Sequence, residues 1–183
     1  MRMLSAGGMP VLSDGTRPAD AGNPIGYFEY DPVRATGRDD SWVDDAPGKA
    51  VKVIHVLLPR LPPRHHYQVL FARRDMCEVL ASQQAVLDRL GRRGARIAPA
   101  QLAETFSAQV GLVLRWVTEQ PHIDLLNVDY RNVITDPFNQ ARRMNEFLGG
   151  HLDEAAMAAA VDPSLYHRRA AAIPQPERSP CPT

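Results

Sequence analysis

Three short apolar runs constrain this chain most strongly: Ala50-Val51-Lys52-Val53-Ile54-His55-Val56-Leu57-Leu58, Tyr67-Gln68-Val69-Leu70-Phe71-Ala72-Arg73 and Ile123-Asp124-Leu125-Leu126-Asn127-Val128. Rich in β-branched or aromatic residues, they suit strands covered on both faces, as in a parallel sheet. Pro59 and Pro62-Pro63 stop the first. Helical patterns separate the other two. A helix over 75–89 is expected from a stripe of Met76, Val79, Leu80, Val86, Leu87 and Leu90, with Asp75 and Glu78 spaced like a capping box. A second long helix is expected from Pro99 to Glu119, ending before Pro121. Asp136-Pro137 opens a further helix in the favoured N-cap and N1 positions, Gly149-Gly150 closes it, and a short alanine-rich helix follows over 153–160.

The remaining segments are less regular. Met1 to Ala6 reads as the end of a helix closed by Gly7-Gly8, a place where left-handed caps are common. Val11 to Asp14 suits a short strand, Thr16 to Pro24 a loop, and Gly26 to Tyr30 a half-buried aromatic segment. Strands alternating with helices predict one α/β domain over residues 1–169, its mostly parallel sheet flanked by helices. The proline-rich tail from Ala170 is expected to be disordered. Such sheets bind ligands beyond the carboxyl ends of their strands.

Charge narrows the partners. Lysine plus arginine and aspartate plus glutamate each number 21 in 183 residues, so the formal net charge is zero. Nothing global then favours nucleic acid or an anionic membrane, and an anion site must be local. There are 19 arginines to two lysines, a bias expected of GC-rich coding that draws attention to Lys52. Cys77 and Cys181 make no disulfide framework, and no Cys/His cluster, including His65-His66, has metal-ligand spacing. The chain carries no signal-peptide pattern and no run of about 20 apolar residues. A cytoplasmic location, no metal and no membrane span are the expectations.

Arg74 would leave the second run where a helix begins, a place with unpaired N–H groups and a dipole that favours anions. A guanidinium adds bidentate bonds to phosphate oxygens. Ser82, two turns into that helix, lies on the same face as Asp75, about 10 Å along the axis. A surface arginine and a small helix serine are the plainer alternative.

The stretch from Val69 through Arg74 to Ser82 resembles the 3′-phosphate segment of sulfotransferases that use 3′-phosphoadenosine 5′-phosphosulfate (PAPS), in which a strand ends in arginine and a serine follows eight positions later. Asn127-Val128-Asp129-Tyr130, followed by Asp136-Pro137 and Glu146-Phe147-Leu148-Gly149, resembles a later block of that family. Asn23-Pro24-Ile25-Gly26-Tyr27-Phe28-Glu29 is similar to a run near the acceptor entrance of bacterial members. The resemblance spans roughly residues 4 to 169. It implies a P-loop nucleotide-hydrolase-like fold and transfer of a sulfuryl group from PAPS, as co-substrate, to a hydroxyl or amine of a small-molecule or peptide acceptor. Arg74 and Ser82 then hold the 3′-phosphate, Tyr130 the adenine, and Glu29 the acceptor. Tyr130 as a strand-end plug and Glu29 in an aromatic core anchor remain alternatives.

Sulfuryl transfer needs a base for the acceptor proton and positive charge near the leaving phosphate, tasks that suit His55 and Lys52. Family members carry Lys-x-His at this strand end, whereas two residues separate Lys52 from His55 here. On a continuous strand that spacing puts them on opposite faces, unless the strand ends by Ile54. The basic loop Arg92-Arg93-Gly94-Ala95-Arg96 reads as solvated or as a lid. Arg168-Arg169 lacks the lysine-glycine of the family's C-terminal clamp.

The family's Gly- and Ser/Thr-rich 5′-phosphosulfate loop has no counterpart, since Ser5-Ala6-Gly7-Gly8 is too short and at the wrong end of its helix. The expectation is an N-terminally shortened sulfotransferase with the first strand and loop missing, its remaining strands flanking a gap. Two other classes stay open: a nucleotide-binding module without turnover, and a P-loop kinase relative. The kinase reading lacks a Gly-x-x-x-x-Gly-Lys-Ser/Thr loop and a magnesium aspartate.

Overall fold

The computed structural model describes residues 1–17, 19, 26–89, 91 and 97–165. It is a mixed α/β structure with short parallel strands. In chain order come α1 (Arg2–Ala6), β1 (Val11–Leu12), β2 (Ala50–Val51), β3 (Tyr67–Arg73), α2 (Met76–Arg89), α3 (Pro99–Thr118), β4 (Ile123–Asp129), α4 (Tyr130–Thr135), α5 (Pro137–Phe147) and α6 (Glu154–Ala159). The Asn23-Pro24-Ile25 part of the entrance motif, the Arg92–Arg96 loop, Arg168-Arg169 and the tail from Ala170 lie outside the described residues.

The strands form two separate parallel pairs, β1 with β2 and β3 with β4. In the longer pair Tyr67 faces Ile123 and the register runs unbroken to Arg73 opposite Asp129. Side chains alternate as a two-faced sheet requires. Leu70, Leu126 and Val128 turn to a core of Met3, Leu4, Ala50, Ala141, Met144, Leu152 and Met157. Tyr67, Val69, Phe71, Ile123 and Leu125 turn to a second core around Val33, Trp42, Val43, Leu58, Leu61, Val113 and Val117. The short pair divides in the same way: Val11 and Ala50 join the first core, Leu12 and Val51 the second. Both pairs are thus clad by the same two layers, although no strand ladder joins them among the described residues.

Several sequence expectations need correction. The first apolar run is a strand only at Ala50–Val51, and residues His55–Arg60 form a 3-10 helix. Leu58 and Leu61, three apart, are both buried in the core that includes Val113 and Val117 of α3. A turn of three residues aligns that pair where an extended chain cannot. Gly7 is not the left-handed cap (φ −74°); Gly8 takes that role (φ 94°). Tyr130 is the first residue of α4 rather than the last of a strand. Asp75 does accept from the backbone N–H groups of Cys77 and Glu78. The Glu78 carboxylate, however, bonds Arg74 instead of closing the capping box.

The helix starts at Asp136 and Asp153 follow the sequence, whereas α4, capped by Asp129, was not expected from it. Asp129, Asp136 and Asp153 cap α4, α5 and α6 by accepting from the N–H groups of Arg131 and Asn132, Asn139 and Ala156. Buried Asn145 ties α5 to α6, donating to Glu154 Oε1 and accepting from the N–H of Leu152, both at 2.8 Å. The stretch 31–45, where no element was expected, forms two 3-10 turns that bring Val33, Trp42 and Val43 into the second core.

Candidate functional site

The carboxyl ends of β3 and β4 lie side by side, because Arg73 pairs with Asp129. The next residue of each strand is the one the sequence singled out. The Arg74 guanidinium sits over the Tyr130 ring, 4.9 Å from its centroid, close enough for a cation–π contact. Two residues 56 positions apart are thereby joined by one strand register.

Arg74 Nε also donates to Glu78 Oε2 at 2.9 Å, one turn into α2. Glu78 is almost fully buried (7% exposed), whereas the Arg74 side chain is 28% exposed. A carboxylate withdrawn from water needs a partner, and the guanidinium supplies it with a charge-assisted bond. The same bond fixes the direction of the guanidinium. Sequence reasoning missed this role of Glu78, although its i, i+4 spacing from Arg74 was visible. Ser82 lies on α2 two turns beyond Asp75, as expected.

A second cluster forms around Glu29. Its carboxylate receives Arg17 at 3.1 Å, Arg34 at 3.4 Å and Lys52 at 3.5 Å. Lys52 Nζ also donates to the carbonyl of Tyr27 at 3.1 Å, and Arg17 lies 3.4 Å above the Tyr27 ring. The structure therefore brings Glu29 and Lys52 together, two residues read from separate motifs. Nothing in either motif announced it. Glu29, three-quarters buried, acts here as the anchor of a cationic cluster.

His55 opens the 3-10 helix, and its Nε2 lies 3.2 Å from Gln109 Oε1 on α3. The end of the strand at Val51 releases Lys52 and His55 from the opposed-face constraint of a continuous strand. They nevertheless share no bonding partner among the described residues. Val53 between them packs in the same core as Phe71 near the end of β3, which ties this segment to the strand that carries Arg74.

Two open clefts of about 420 and 380 Å³ lie at the 3-10 turns, lined by Asp31, Arg34, Arg38 and Asp39 in one and by Asp39, Asp40, Asp44 and Arg64 in the other. None of Glu29, Lys52, His55, Arg74, Ser82 and Tyr130 lines either. Beside the second, Arg64 grips Asp44 with two nitrogens and His65 Nε2 approaches the same carboxylate at 2.8 Å. Those hydrogen bonds, led by Arg64, hold the Asp44 carboxyl down at about 2.

Among the described residues no group of His, Cys, Asp and Glu is placed to hold a metal, and no helix is long and apolar enough to cross a membrane. No family model, curated protein or solved structure matches the chain.

Proposed function

We propose that the chain is a sulfotransferase-like α/β protein of the P-loop type. It holds the 3′-phosphate and adenine of PAPS on Arg74, Ser82 and Tyr130, and serves sulfuryl transfer to a hydroxyl or amine acceptor. The observation that carries the reading is the Arg74–Tyr130 contact at the adjoining carboxyl ends of two parallel strands. Ligands of parallel sheets gather there, and a fork-shaped cation beside an aromatic face suits a phosphorylated purine nucleoside. Two strand pairs clad by the same two cores fit the layered arrangement this class requires.

In this reading His55 takes the acceptor proton and Lys52 offsets charge on the leaving phosphate. The second reading, a nucleotide-binding module without turnover, draws support from Lys52 itself. Its ammonium is already engaged by Glu29 and the Tyr27 carbonyl.

Calorimetry with adenosine 3′,5′-bisphosphate tests both. Saturable binding that is lost in Arg74→Ala is the expected result, and no binding by the unaltered chain overturns the proposal. Transfer from radiolabelled PAPS, abolished in His55→Ala, then selects the enzyme. Binding without transfer selects the module.

A further inference from the structure

We propose that Gly26 to Glu29 form a strained clamp that withholds Lys52, and that an anion bearing phosphate or sulfate releases it. The release rests on the sulfotransferase reading above, which needs Lys52 beside the leaving phosphate, and gives that reading a control it does not contain. The clamp is built on Phe28, the one non-glycine residue with a left-handed backbone among the described residues (φ 50°). For a bulky L-residue that region crowds Cβ against the following carbonyl, so it persists only where neighbours fix it.

The neighbours do fix it. Gly26 (φ 86°) takes the same hand without cost as the chain enters the segment. On the far side the Glu29 carbonyl accepts from the Asp14 N–H at 3.2 Å and the Ser13 hydroxyl at 3.0 Å, which pins it just past the end of β1. Arg17 bridges both flanks of Phe28, lying 3.4 Å above the Tyr27 ring and 3.1 Å from the Glu29 carboxylate. The outcome of the turn falls on Lys52. The Tyr27 carbonyl, one residue before Phe28, and the Glu29 carboxylate, one residue after it, both reach the ammonium, at 3.1 and 3.5 Å.

Such a clamp is balanced to open. The Lys52 side chain is 41% exposed, so its contact with Glu29 is a screened ion pair, comparable in strength to the strain at Phe28. When Lys52 departs, Glu29 keeps Arg17 and Arg34, and a mostly buried carboxylate is not left unpaired. Departure also lets Phe28 relax to an ordinary backbone. A phosphate or sulfate ester offers the ammonium more charge than a carboxylate shared among three cations. It therefore favours the released position, the difference in affinity that any ligand needs to shift an equilibrium. A neutral acceptor supplies no such difference.

Lysine labelling tests the proposal, because Lys49 and Lys52 are the only lysines in the chain. In nuclear magnetic resonance of the full chain carrying ¹³C,¹⁵N-lysine, the Lys52 side chain should be restrained and shifted relative to that of Lys49. Adenosine 3′,5′-bisphosphate and inorganic pyrophosphate should each move the Lys52 signal saturably, while sodium chloride of equal ionic strength should not. Phe28→Gly adopts the left-handed turn without strain, whereas Phe28→Ala loses the ring and keeps the strain. The glycine variant should therefore hold Lys52 more firmly and bind anion about three- to fivefold more weakly than the alanine variant.

The proposal is overturned by a Lys52 side chain as mobile as that of Lys49 in the unaltered chain. It is equally overturned by a signal that neither anion moves, by one that salt moves as far, or by equal anion binding in the two Phe28 variants. Release by pyrophosphate but not by the nucleotide leaves the clamp standing, and the donor reading fails. Where the variants do not fold, the response of the unaltered chain to the two anions decides.

Discussion

At the scale of single residues, the chemistry of the candidate site turns on how one arginine divides its attention. Arg74 faces a buried carboxylate in the first turn of α2 and an aromatic ring at the start of α4. Glu78 repels any phosphate that approaches the guanidinium, so Glu78→Gln is expected to tighten adenosine 3′,5′-bisphosphate binding by about three- to tenfold in calorimetry. Tyr130→Ala should weaken the same binding about three- to fivefold, while Tyr130→Phe, which keeps the ring face, should change it little. The opposite end of β3, where Arg64 and His65 precede the strand, offers a pH test. The Asp44 carboxyl is lowered from its ordinary 3.8 to about 2, so its stabilising contribution is fully present above pH 4. That contribution is lost as pH falls from there through 2. Melting temperatures of the unaltered protein should therefore drop across that window, whereas Asp44→Asn should start lower at neutral pH and converge with it near pH 2.

Among the elements, the start of the chain packs more tightly than its two glycines announce. A Cβ on Gly7 would stand 2.5 Å from Met157 Cγ, in a side chain with no exposure at all, although the backbone there (φ −74°) accepts any residue. Gly8 has the opposite problem: open space, but a left-handed backbone. Gly7→Ala should destabilise by about 1–3 kcal/mol through overpacking, and Gly8→Ala by about 1 kcal/mol through backbone strain. Denaturant titration distinguishes them in combination with Met157→Ala, which should absorb much of the first penalty and none of the second. The close approach was hidden in sequence because Met157 lies 150 residues away. The same distance rule explains what could be read. Helix starts at Asp136 and Asp153 and the strands at 67–73 and 123–129 rest on neighbouring residues, and so does the position of Arg74 after its strand. The 3-10 turn at 55–60 answers to α3 instead, and packing against Val113 and Val117 overrode a β-branched run that reads as extended. His55–Gln109 and Glu29–Lys52 join positions that no local pattern relates.

For the molecule as a whole, the two parallel pairs are unequal. β3 and β4 share seven paired residues, β1 and β2 only two. Backbone amides of Val69 to Phe71 and Leu125 to Asn127 should therefore exchange with solvent far more slowly than those of Leu12 and Val51, which mass spectrometry of deuterium uptake can measure. Among the described residues no ladder fastens one pair to the other; the two shared cores do, with a backbone bond from the Asp153 N–H to the Gly7 carbonyl beside them. Such contact resists separation yet gives little directional grip, so along this seam the protein has a joint where other sheets have a weld. Under heat or load β1 and β2 should shift against β3 and β4 before the longer ladder parts.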